Sequence, residues 1–170
     1  MRRRRQTIIV STVGVAVVVI YAGLAALQIL VFTPLAAAPG LSLAEVKAEM
    51  HSAGESLNEA STISILAIGP LIAVVVAAIA VRARAHPAIP AITLLSVLML
   101  GGPGLFVASF GPGMGMADTF MVAGGIFLPG VMPFFVVSVI AGVALTVGVI
   151  LAATLARGRA RPEPASRPSV

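Results

Sequence analysis

Apolar positions fill this chain in four long runs, and polar residues gather between and beyond them. The first run, Ile8 to Phe32, holds 25 residues and no charge. As a helix it reaches about 37 Å at ~1.5 Å per residue, enough to cross a hydrocarbon core of roughly 30 Å with some tilt. Further runs over about 62–81, 91–110 and 134–155 predict three more spans. The segments 33–61 and 111–133 then lie outside, and 82–90 is a short inside loop that makes spans two and three a hairpin. The pattern predicts an all-α integral membrane protein, a single domain over 8–156 with four transmembrane helices in an antiparallel bundle. One short amphipathic extracytoplasmic helix is added to it.

That short helix is read from its caps and its stripe. Ser42 and Glu45 form a capping box, with Leu41 and Val46 placed as a hydrophobic staple. Leu43, Val46, Met50 and Leu57 fall on one stripe, while Glu45, Glu49, His51 and Ser52 lie off it. Gly54 stops the helix. Ser56 and Glu59 repeat the box and predict the start of the next one.

Span two carries Pro70, which frees the carbonyl of Leu66 and predicts a kink. Its Gly69, Ala73 and Ala77 form a small-residue row of the kind that lets helices approach closely in lipid. Span three meets Gly101-Gly102-Pro103-Gly104 halfway across, where the helix kinks or unwinds. From Gly101 to Gly130 the chain spends nine of its seventeen glycines. This composition predicts that 111–133, with Gly124, Gly125, Pro129 and Gly130, is a re-entrant or interfacial segment on the outer mouth. Span four carries two small-residue rows, Ser138/Gly142/Thr146 and Ala144/Gly148/Ala152. The tail from Arg157 to Val170, basic and proline-rich, is expected to be disordered.

Composition agrees with the pattern. The chain is 59 % hydrophobic and 10 % charged, with mean hydropathy +1.10, against about 25 % charge in soluble domains. Charge then orients the bundle. With Arg2 to Arg5 in the cytoplasm, ten of the eleven basic residues lie inside and five of the six acids outside. That bias places both termini in the cytoplasm of a multi-pass plasma-membrane protein. The net charge of +5 reflects these flanks and forms no face for nucleic acid. The first run also has a basic start and an Ala36-Ala37-Ala38 stretch like a signal peptide, but its apolar core exceeds the usual ~7–15 residues. Arginine-over-lysine usage with abundant alanine and valine points to a high-GC bacterial genome.

Chemistry is sparse. There is no cysteine, which removes disulfide, thiolate-metal and thiol-redox mechanisms. No span contains an ionisable acid or base, so the usual marker of a proton-coupled transporter is missing. No nucleophile context or His/Glu metal spacing stands out, and no cofactor is expected. All seven phenylalanines fall on the outer half, and Phe106, Phe110, Phe120, Phe127 and Phe134 mark an apolar outer mouth. Met114, Met116 and Met121, with His51, are the weak candidates for a soft-metal site such as copper.

The expectation is a non-enzymatic accessory or structural protein whose partners are the bilayer and a membrane protein or a second copy of itself. Gly69, Ala73, Ala77, Ser138, Gly142, Thr146 and Gly148 would pack helices. The alternative is a small oligomeric transporter or pore built on the broken third span, where Pro70, Gly101, Gly102, Pro103 and Gly104 would shape a ligand segment. Lipid or copper binding at the outer face comes third.

Overall fold

The structure is a computed structural model that describes residues 2–122 and 129–159 of the chain. Gly124, Gly125, Phe127 and the tail from 160 onward, all named above, lie outside the described residues. Four helical stretches are long and apolar enough to cross a membrane: Arg2–Ala37, Glu59–Arg82, Ala88–Phe120 and Met132–Leu155. The described residues form an all-α, multi-pass membrane bundle.

The first stretch is longer than its apolar run. Helix α1 (Arg2–Leu27) continues through a π turn at Gln28–Phe32 into α2 (Thr33–Ala37). The chain therefore does not leave its helix at Thr33-Pro34, as the sequence suggested. The reason is local. Pro34 has no N–H, and its ring would strike the carbonyl four residues earlier in a regular helix. The turn ahead of it opens, and Thr33 N–H reaches back to the Gln28 carbonyl, a five-residue step. Pro34 then sits buried in the first turn of α2.

Helix α3 (Leu43–Ser52) follows the expected cap. Ser42 N–H donates to Glu45 Oε2 at 2.7 Å, and Glu45 N–H donates to Ser42 Oγ at 3.3 Å. Hydrogen bonds from the Ser42 hydroxyl, then from its backbone N–H, hold the Glu45 carboxyl below its ordinary value. At the other end Glu55 N–H reaches Met50 O at 2.8 Å and Gly54 N–H reaches His51 O at 3.1 Å, with Gly54 at φ +79. This is a Schellman stop. The second box does not form. Helix α4 (Glu59–Arg82) starts instead from Asn58 in the left-handed region, with no side-chain cap. Glu59 pairs with Lys47 of α3 at 2.6 Å.

Helix α4 runs on through Pro70. It turns at Arg84 into α5 (Ala88–Met99), which breaks only at Leu100 before α6 (Gly101–Phe120) begins. Gly101 to Gly104 are thus the first turn of a new helix. The glycine-rich 111–120 is its last half, helical as far as Phe120. A short turn, Pro129–Val131, leads into α7 (Met132–Arg159), which takes in Arg157 and Arg159 of the expected tail.

Helix α1 packs chiefly on α4 and α5, α4 also touches α6, and α7 docks chiefly on α5 and α6. The core is a column of three clusters. Val18, Ala73 and Leu94 lie nearest the arginine end. Ala25, Ile29, Leu105, Ala108 and Val131 lie in the middle. Ala38, Val46, Met50, Leu57 and Met116 bind α3 to the far end. Residues on the opposite faces, such as Ile20, Leu71 and Val139, are exposed, as lipid-facing positions should be.

Candidate functional site

The break in span three, at Leu100, interrupts the helical ladder within the bundle. In an unbroken helix Gly102 N–H would donate to the Leu98 carbonyl four residues back. Here Ser138 of α7 stands between them. Gly102 N–H donates to Ser138 Oγ at 2.7 Å, and that hydroxyl donates to Leu98 O at 3.0 Å. One serine from another helix carries the missing hydrogen bond, so neither group is left bare in an apolar medium.

Tyr21 of α1 completes the junction. Its hydroxyl donates to the Phe134 carbonyl at 3.3 Å and lies 3.4 Å from Ser138 Oγ. Its ring meets Phe134 edge-on at 5.4 Å and lies against Gly101. A Cβ on Gly101 would come within 2.7 Å of the Tyr21 ring, so only glycine fits. A second missing hydrogen bond is supplied in the same way. Pro112 inside α6 cannot donate to the Ala108 carbonyl. Thr62 of α4 donates there instead, at 3.2 Å in a buried setting.

Beside the first break an apolar groove of about 360 Å³ opens between α1, α4 and span three. Tyr21, Leu66, Gly69, Gly101, Pro103 and Gly104 are among the residues that line it. So Gly69 and three of the four residues of the break converge there. Gly102 turns the other way, toward Phe135 and Ser138. Pro70 is half-buried on α4.

The packing rows separate into two kinds. Ala73 is fully buried against α1 and α5, and a Cβ on Gly142 would meet Met99 at 3.3 Å. Ala77 is half-buried in a second groove, nearer the arginines. Thr146 is exposed and donates back to the Gly142 carbonyl at 2.9 Å. Gly148 has nothing within 4 Å of its Cβ position, and Ala144 and Ala152 beside it are exposed.

The outer mouth does not form one site. Met50 and Met116 are buried in the far-end cluster, with Phe120 packed on it, whereas Met114 and Met121 are exposed, Met121 at 89 %. His51 lies on the surface beside a shallow cleft with Lys47, Glu55 and Glu59. The methionines therefore divide between core and surface. Phe106 and Phe110 are exposed on α6, and Phe134 belongs to the Tyr21 junction. Sequence reasoning gave Ser138 as a helix-packing residue and overlooked Thr62. A threonine one helix away from a mid-helix proline was the available signal.

Fold and junction define a multi-pass helical membrane protein in which Ser138 and Thr62 supply hydrogen bonds that the backbone of span three lacks. No protein-family model, curated protein or solved structure matches the chain.

Proposed function

We propose that this chain is a non-enzymatic membrane protein that works by associating with a second copy of itself or another membrane protein within the bilayer. It would lie in a plasma membrane, bacterial by its arginine-over-lysine, alanine- and valine-rich composition, with both termini in the cytoplasm. The observation that carries the reading is the state of α7. One face docks on α5 and α6. The other presents Ala144, Gly148 and Ala152, exposed at bilayer depth with open space beside them. In lipid, helices associate through close packing at such small residues, since burial from water supplies no drive there.

The structure also chooses the test. Gly142 touches Met99 within the chain, so enlarging it would damage the monomer. Gly148→Leu leaves the internal packing alone and blocks the free face. The chain has no cysteine, so Ala152→Cys is a single clean reporter. Ala152→Cys should cross-link to a second chain in native membranes, and Gly148→Leu should abolish the adduct. Monomeric behaviour with no adduct, and no second membrane protein co-purifying in mild detergent, would defeat the reading.

Transport through an oligomer is the second reading, supported by the break in span three and the groove beside it. Pro103→Ala with Gly104→Ala should then stop flux in liposomes without changing assembly.

A further inference from the structure

The groove between the arginine-bearing halves of α1 and α4 has a chemistry the mid-depth groove lacks. It holds about 480 Å³ and is lined by Ile8, Ser11, Thr12, Val15, Val74, Ala77, Ala78, Val81 and Arg82. Its length, from Val15 and Val74 to Ile8 and Arg82, is about 10–12 Å at ~1.5 Å per residue. One leaflet of the hydrocarbon core is about 15 Å deep. The walls are apolar because Val15, Val74 and Val81 line them. The floor is open because Ser11, Ala77 and Ala78 are small.

Three features make the two ends of this groove unlike. Arg82 closes it at the basic end of the bundle. Arg4 and Arg5 precede Ile8 by one helical turn and so share its face. Among the described residues no carboxylate lines it. Ser11 on that floor is 2 % exposed. Its hydroxyl is the one buried side-chain polar atom among the described residues that has no hydrogen-bond partner. An unpaired hydroxyl in an apolar setting costs free energy that a ligand acceptor would recover.

We infer that this groove binds one anionic phospholipid from the leaflet on the arginine side. The phosphate would lie against Arg82, Arg4 and Arg5, an ester carbonyl at Ser11, and one acyl chain along Ala77 and Ala78. Basic pockets between helices at the membrane surface select anionic head groups by this charge complementarity. The site is separate from the outer-face lipid reading drawn from the phenylalanines, and it does not depend on self-association.

The test uses the full chain in nanodiscs and in detergent. Native mass spectrometry would follow titration with phosphatidylglycerol and with phosphatidylcholine of the same acyl chains. The expected result is one saturable phosphatidylglycerol adduct, favoured about 5-fold or more over phosphatidylcholine, as one arginine near a phosphate supplies. Arg82→Gln should remove the preference, and Ala77→Phe should remove the adduct by filling the floor. A second readout does not rely on Ala77→Phe folding. Thr12→Cys, alkylated in nanodiscs, should be protected by phosphatidylglycerol and not by phosphatidylcholine. Equal protection by both lipids, or by neither, would overturn the inference. So would an adduct that survives Ala77→Phe in a folded chain and disappears only when Arg2 to Arg5 are neutralised, since that would be a diffuse basic collar.

Discussion

At the scale of single residues, hydroxyls do the work that ionised groups do in many membrane proteins. Ser138 is the clearest case, since it both accepts from Gly102 and donates to Leu98. Ser138→Ala would leave the Gly102 N–H and the Leu98 carbonyl without the partner that each has in the native chain. The expected cost is about 1–2 kcal/mol, the range for a lost hydrogen bond between membrane helices. Reversible unfolding in mixed micelles measures it. An unchanged stability would mean that α5 and α6 close into one regular helix when the serine is gone. Gly101 is constrained at the same spot for a different reason, because the Tyr21 ring occupies the place of its Cβ.

At the scale of elements, span three is two helices joined at Leu100, with each irregularity assigned to a neighbour. Thr62 serves the carbonyl that Pro112 cannot, so the two residues should be energetically coupled. Thr62→Val is expected to cost about 1 kcal/mol in the native chain. It should cost close to nothing after Pro112→Ala, which restores an N–H for the Ala108 carbonyl. A double-mutant cycle reads this directly, and additive effects would deny the coupling.

The four spans were legible in the sequence because hydropathy over some twenty residues outweighs any local signal. The Ser42/Glu45 cap was legible because both partners lie within one turn. The helical end of α6 was not. Its glycines lower helix propensity, yet Gly115 is needed where α6 meets α3. A Cβ there would fall 3.0 Å from Met50 Cε and 3.1 Å from Glu55 Oε2. Close approach and loop flexibility leave the same letters in a sequence. The Ser56/Glu59 box is absent because the helix starts two residues later, from Asn58 in the left-handed region; Glu59 instead pairs with Lys47, a contact between helices that no local spacing reveals. Of the junction, the glycines and proline were visible and their ligands were not, since Ser138 lies far along the chain.

At the scale of the whole molecule, charge and hydroxyl chemistry are distributed along the bundle axis. The arginines of α1 and the α4–α5 turn share one end, while Lys47, the α3 acids and Glu59 lie at the other. Thr7 ties the basic end together by donating to the Ala85 carbonyl at 2.8 Å, so the start of α1 is held against the turn. The positive-inside bias predicts the orientation, which is tested on the cysteine-free background. Gly54→Cys should react with an impermeant maleimide added to whole cells, and Arg84→Cys only after the membrane is opened. The reverse labelling would invert the bundle.

The mended breaks also bear on how the chain is made. Synthesis is vectorial, so Thr62 is already in the membrane when the Ala108 carbonyl arrives. Ser138 emerges only after Leu98 and Gly102 have been delivered. For that interval the ribosome presents the bilayer with a third span whose central turn lacks its partner. Such a span should linger at the insertion machinery until α7 follows it, and a nascent chain truncated just before Ser138 should be the one the cell degrades.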